Sequence, residues 1–315
     1  MIRWICSRVL AALLTLAVAS VVVFGSLKLV PGDPLAAITS GTRLTPEQKD
    51  ALREKLGLDQ DFFTGYITWI SGILQGDLGQ SLIYGTSVND LLAARVPTSV
   101  TLIVYAAVLT LVFGIGIALI SATRPGIVDR IGLVVTSLAV ATPSFVIALI
   151  LLAVFAVQLQ LFPATGAGDG FLDVLYHLTL PAFALAFSSF GLLARVSREK
   201  FREELASEHV EVARSRGVNG GDILSRHVVR NSLGPVMTLI ALMISALFIG
   251  TAIVETAFGV DGMGELLISA IARRDFPVVQ AISLISVTLF VVTGTVAELL
   301  MPLVDPRVRT VGALR

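Results

Sequence analysis

Apolar positions along this chain gather in six long runs, at residues 9–30, 99–122, 131–157, 178–194, 233–254 and 278–297, separated by polar stretches of very unequal length. A helix rises about 1.5 Å per residue and the hydrocarbon layer of a bilayer is roughly 30 Å thick, so runs of this length are enough to cross it. The fourth, 178–194, is the shortest and needs help from its polar flanks. None of the runs alternates in polarity, and a helix satisfies its own backbone hydrogen bonds in lipid. The pattern therefore predicts an all-α fold, a polytopic bundle of six transmembrane helices. Arg3, Arg8 and the small residues Ala17, Val18 and Ala19 resemble a cleavable leader. The first run continues through SVVVFGSL, however, beyond the length of a usual leader core, and we read it as a retained anchor.

The polar stretches carry organisation of their own. Residues 31–98 are too long for a simple connection, and Thr45, Pro46, Glu47 and Gln48 form a capping-box start for a helix that stops at Gly57. Phe62, Phe63, Tyr66, Trp69, Ile70 and Ile73 follow at helical spacing and suit a helix packed on the spans at the membrane interface. Within the runs, Pro143 lies between Thr142 and Ser144, where a freed carbonyl either lines a hydrated cavity or simply kinks the helix. Pro143, Ser144, Ser188 and Ser245 are the candidate pathway or gate positions. The resulting division is a first helix with its external loop (1–98), a five-helix core (99–303) and a tail (304–315).

Residues 195–231 hold 14 of the chain's 46 charged side chains between two apolar runs. Residues 197–216 read as one helix with Phe201, Leu205, Val212 and Arg216 on a face, and with Arg214 and Arg216 in the last turn, where cations suit the dipole. Gly217 supplies the stop, and Asp222 caps a second helix running to Asn231. Ala213 and Gly217 lie four apart and leave one face nearly bare, open to a partner's groove. Spacing alone does not separate that role from a plain helix cap.

Charge then orients the bundle. Arg3, Arg8, Arg124, Arg130, eight basic residues between 195 and 230, Arg307, Arg309 and Arg315 fall on one side of a six-span arrangement, 15 in all against seven on the other. The positive-inside rule puts both termini and the charged island in the cytoplasm. A mean hydropathy of +0.87 and zero formal net charge exclude an ordinary soluble domain and a nucleic-acid binder. The lone Cys6 excludes an internal disulfide. His177, His209 and His227 lie at or beyond the span margins and no acid lies mid-membrane, so an intramembrane enzyme lacks its inventory. A membrane anchor that recruits a cytoplasmic partner is the remaining alternative from a different class. The acids Asp33, Glu255, Asp261, Glu265 and Asp275 on the external side either meet an external partner or serve as caps and solvated groups.

EVARSRG at 211–217, HVVRN at 227–231 and Pro235 together resemble the cytoplasmic EAA loop of ABC-importer permeases of the dipeptide and oligopeptide branch. The likeness continues in order along the chain through VPGDP at 30–34, TPEQKDALREKLGLD at 45–59, GDLGQS at 76–81, RVPTSVTL at 95–102, FPATG at 162–166, HLTLPA at 177–182, RRDFPVVQA at 273–281 and DPRVR at 305–309. Val212 replaces a small residue of the loop, and FGVDGMG at 258–264 lacks the Trp-Pro pair often found there. The resemblance implies a type I importer permease fold in a bacterial plasma membrane, working with a second related permease, two ATPase subunits and an extracytoplasmic binding protein. It implies no cofactor on this chain, with ATP and magnesium held by the partner subunits. It assigns ATPase docking to Glu211, Val212, Ala213, Arg214, Arg216, Gly217 and Asn219. It also implies peptide cargo, with nickel chelates or glutathione as alternatives. The residues agree on one point: none of the four lysines follows a glycine, so a phosphate-binding P-loop cannot form within these residues.

Overall fold

The computed structural model describes residues 2–28, 45, 47 and 61–304. Asp33, the helix expected from the Thr45 capping box to Gly57, and the tail from 305 onward lie outside the described residues. Helices account for nearly all of what is described: α1 (Ile2–Lys28), α2 (Phe62–Leu74), α3 (Val88–Thr123), α4 (Ile127–Ala141), α5 (Ser144–Leu151, continued as a π-helix over Leu152–Gln158), α6 (Phe171–Leu205) and α7 (Glu208–Ser215). Next comes α8, which runs through Gly220–Asp222, a π-helical stretch Ile223–Val229 and Arg230–Phe258, and is followed by α9 (Met263–Arg273) and α10 (Phe276–Val304).

Four helices are long and apolar enough to cross a membrane unbroken, namely α1, α3, α6 and α10. Among the described residues two further candidates are bent pairs, α4 with α5 at 104° and the later part of α8 with α9 at 77°, and counting each pair as one span brings the total to six. The third run is thus two helices rather than one. Its break has a local cause: Thr142 is extended (φ −97°, ψ 120°), as the residue before a proline prefers, and Pro143 (φ −61°, ψ 145°) has no N–H to carry the ladder onward. Thr142 turns its hydroxyl back to the Leu138 carbonyl at 2.7 Å.

The shortest run proves to be the axis of the bundle. In α6 the helix extends to 35 residues, and 61% of its most apolar window is buried inside the protein. Leu178, Ala182, Leu185, Ala186 and Phe190 pack there against Leu102 and Ala106 of α3, Ala139 of α4, Ala148 of α5 and Leu247 and Val254 of α8. Small residues let these backbones close in, which is how helices gain packing energy where lipid supplies no hydrophobic drive. By contrast α1 has 6% of its window buried; it lies against α10, where Arg8 pairs with Glu298 at 3.2 Å.

On the far side from α7, α2 is capped by Asp61, which accepts from Phe63 N. Phe24 of α1 stacks among Phe62, Tyr66 and Trp69, and Ser20 meets the Tyr66 hydroxyl at 2.8 Å, so the aromatic stripe packs on a span as expected. The second crossing element begins earlier than its apolar run: α3 starts at Val88, immediately after its cap Ser87, and the division at 98/99 falls inside that helix.

Candidate functional site

The charged island is built of three pieces rather than two. At Leu205 α6 ends, and only Ala206 and Ser207 separate it from α7. The Ser207 hydroxyl is spent on the Glu204 carbonyl at 2.6 Å, which stabilises the corner. The single helix expected over 197–216 is therefore broken at 206–207. At the other end of α7, Gly217 N donates to the Arg214 carbonyl (3.0 Å) and Val218 N to the Ala213 carbonyl (3.1 Å), a Schellman closure. Gly217 has φ +75°, which a side chain would strain, and a Cβ there would meet nothing within 4 Å. Its requirement is conformational, and the bare face expected from Ala213 and Gly217 is absent. The next helix is capped by Asn219, whose side chain accepts from Gly221 N at 3.1 Å, and not by Asp222. Nor does that helix stop at Asn231, since α8 runs on to Phe258.

A division of faces follows on α7. Val210 and Ala213 are buried and join Phe201 of α6, Ala118 and Ala122 of α3, and Ile223 and Val228 of the π-helical stretch. Ala213 thus belongs to the chain's own core and is closed to a partner. Glu211, Val212, Arg214, Arg216, Gly217 and Asn219 are exposed. Glu211, Arg214 and Arg216 form no ion pair among the described residues. Glu208 and Glu211 in the first turn and Arg214 in the last agree with the helix dipole. His209 joins the three pieces through Nε2, 3.4 Å from Glu204 of α6 and 3.2 Å from the Asn231 amide of α8.

At the opposite end, two of the acids considered for external contact are entirely buried. Glu255 accepts from Ser99 Oγ (2.6 Å), Gly264 N (2.7 Å) and Glu265 N (3.1 Å), and Ser99 Oγ in turn accepts from Met263 N at 2.7 Å. These bonds anchor the N-terminus of α9 to α3 and α8. Asp275 accepts from Ser81 Oγ and from Leu82 N at 3.1 Å, pinning the segment before α3 to the α9–α10 corner. Neither is open to an external partner. Asp261 is 84% exposed and shares Arg95 with Glu265, at 3.4 Å and 2.7 Å.

Among the pathway candidates, Pro143 is exposed at the α4–α5 bend with Ser144 half-buried beside it, and Ser188 is half-buried on α6. Ser245 lies on α8, its side chain outside the described residues. Among the described side chains, no hydrogen bond brings Pro143, Ser144 and Ser188 together. Three features escaped the sequence reading. Thr110 of α3 is buried with an unpartnered hydroxyl in an apolar cleft with Ile240, Met243 and Leu247 of α8. Ser99 and Ser81 carry the two carboxylate anchors. Asp129 at the foot of α4 is clamped by Arg198 and Arg202 of α6, whose spacing of four on one helix was the available signal. No group of three or more His, Cys, Asp or Glu residues among those described is arranged to hold a metal ion.

Residues 111–310 match the family described as binding-protein-dependent transport system inner membrane component, and residues 1–103 match the description of its N-terminal part. The chain is 32% identical over 315 residues to the oligopeptide transport system permease protein AppB of Bacillus subtilis strain 168, covering 98% of this chain and 99% of that protein. It is 30% identical over 310 residues to the protein named "Probable peptide ABC transporter permease protein y4tP" of Sinorhizobium fredii, covering 97% of this chain and 99% of that one. A solved structure of an amino acid ABC transporter with histidines superposes with a TM-score of 0.51 over 69% of this chain and 94% of the other, at 18% identity, which is a likeness of fold. With its bent crossings, central α6 and charged α6–α8 corner, this chain belongs to the binding-protein-dependent transport system inner membrane components and is a multi-pass permease subunit of the inner membrane.

Proposed function

We propose that the chain forms half of a pore that imports di- or oligopeptides, paired with a second related permease, driven by two ATPase subunits and fed by an extracytoplasmic binding protein. The peptide assignment draws on the names of relatives that match from end to end. The coupling assignment rests on one observation: α7 presents Glu208, Glu211, Arg214 and Arg216 to water while its inner face is locked into the chain's core. A charged helix that is rigidly backed, and whose Glu211, Arg214 and Arg216 form no ion pair among the described residues, suits a docking knob. Energy comes from elsewhere, because no Gly-Lys pair exists to build a P-loop. Closure of the ATPases on nucleotide would displace α7, and the bundle would exchange inward-open and outward-open arrangements, two states biased by a ligand bound on another subunit.

The test is reconstitution of the full complex in vesicles with binding protein outside and ATP inside. Peptide uptake that requires ATP is expected, and uptake that proceeds without nucleotide overturns the reading. Reversing two exposed charges, Arg214→Glu with Arg216→Glu, is expected to lower co-purification of the ATPases about 10-fold while the chain still inserts, since charge complementarity at a docking rim sets association.

A further inference from the structure

The feet of α4 and α6 are joined by ions. Arg198 donates to Asp129 through Nε at 2.5 Å and through Nη2 at 2.7 Å, a two-point fork, and Arg202 adds a third bond at 2.9 Å. The Asp129 side chain is 10% exposed and that of Arg198 16%. A carboxylate so enclosed is held firmly only while its partners remain, because removing one leaves a poorly solvated charge. An open-sided cavity of about 520 Å³, lined by Leu133 and by the charged side chains of Arg195, Arg198, Glu199, Arg202 and Glu203, lies beside the clamp.

Higher up, the same two helices are in backbone contact. A Cβ on Gly191 of α6 would lie 2.6 Å from the Ala139 Cβ and 3.0 Å from the Thr136 carbonyl of α4. With ions at the foot and a glycine notch above, α4 and α6 are fastened at two levels. From the clamp α6 runs unbroken to Leu205 and passes into α7 across two residues, while α4 runs the other way to the bend at Thr142 and Pro143.

We propose that Asp129 is a positioning residue for energy coupling: it makes α4 and α6 move as one body, so that displacement of α7 reaches the bend at Pro143. Without the clamp, α6 would swing over the cavity and the movement would be lost before it reached the third crossing. The proposal rests on the reading of α7 as the ATPase dock.

The experiment compares the complete reconstituted transporter carrying wild-type chain, Asp129→Asn, Asp129→Glu or Arg202→Gln, and reads peptide molecules moved per ATP hydrolysed. Asp129→Asn is expected to lower that ratio about 10-fold, the size of an ordinary coupling term, while hydrolysis continues, and Asp129→Glu to keep it within about twofold of wild type. Arg202→Gln, which leaves the Arg198 fork in place, is expected to lower it about threefold. A wild-type ratio in Asp129→Asn overturns the proposal, as does a parallel fall of uptake and hydrolysis, the mark of a purely structural role. If Asp129→Asn does not assemble, an unchanged ratio in Arg202→Gln overturns it instead. Wild-type vesicles that hydrolyse ATP without nucleotide-driven uptake would sink the reading of α7 and this proposal with it, a result visible before any variant is compared.

Discussion

At the scale of single residues, the external corner shows how closely backbone approach and charge depend on one another. Gly262 has no side chain because Glu255 fills that space; a Cβ there would lie 2.2 Å from the carboxyl carbon. At Gly264 a Cβ would lie 2.4 Å from the Ala252 Cα and 2.6 Å from its nitrogen, both backbone atoms of α8 that cannot rotate away. Gly264→Ala must therefore push α9 off α8 and stretch the Glu255 bond to Gly264 N. Overpacking of this kind costs about 1–3 kcal/mol, to be measured as a lower thermal midpoint in detergent. Gly116→Ala is the control, because nothing lies within 4 Å of its Cβ position and the midpoint is expected to stay close to wild type. In the motif FGVDGMG the missing Trp-Pro pair matters less than Gly262 and Gly264, which with Glu255 carry the geometry. A helix cap was one of the open readings of Glu255; its burial is set by the fold, which brings Ser99, 156 residues away in the chain, to its oxygen.

At the scale of elements, the corner between α6 and α8 separates what a helix needs from what a partner needs. Gly217 was expected both as a helix stop and, by its spacing from Ala213, as part of a bare face; Ala213 faces inward, and Gly217 serves as the stop through its left-handed conformation. The two accounts make different predictions. If bareness mattered, any larger residue would block docking. On the conformational account Gly217→Asn keeps ATPase co-purification close to wild type, because asparagine tolerates this region, while Gly217→Val loses most of it through strain of about 1–2 kcal/mol in the closing turn. Comparing the two variants on the intact complex decides between them. The break at 206–207 was illegible for a related reason. Ala206 and Ser207 are not strong breakers, and the turn forms because Val210 and Ala213 find a pocket made by α3, α6 and the π-helical stretch. Such stretches recur where helices bend for function, and this one carries Ile223 and Val228 into the same pocket.

For the whole molecule, four straight helices and two bent pairs among the described residues accommodate the six crossings expected from the apolar runs when each pair counts as one span. Positive-inside counting predicts that both termini and α7 face the cytoplasm and the opposite corner at Asp261 the exterior. In a Cys6→Ser background, a membrane-impermeant maleimide is expected to label Asp261→Cys in intact cells and Val212→Cys only after permeabilisation; both positions are exposed enough to react. Labelling of Val212→Cys from outside would contradict the orientation and the ATPase dock together. The arrangement also explains why the shortest run crosses at the centre. Enclosed by α3, α4, α5 and α8, α6 is flanked by protein rather than lipid, so polar residues at its ends cost little and its helix extends well past the apolar stretch.

Helical class, the membrane-crossing character, the polar corner and the family resemblance were all legible in the chain alone. Each depends on local run length or on short motifs in a preserved order, and lipid permits few alternatives to a helix. The bend at Pro143 was legible as a place but not as an angle, since a proline removes one bond and its neighbours decide how far the chain turns. The sealed acids, the inward face of α7 and the clamp on Asp129 belong to the tertiary structure. In each, a group's role is set by partners far away in sequence, such as Asp275 and Ser81, 194 residues apart, and burial turns an ordinary surface charge into an anchor.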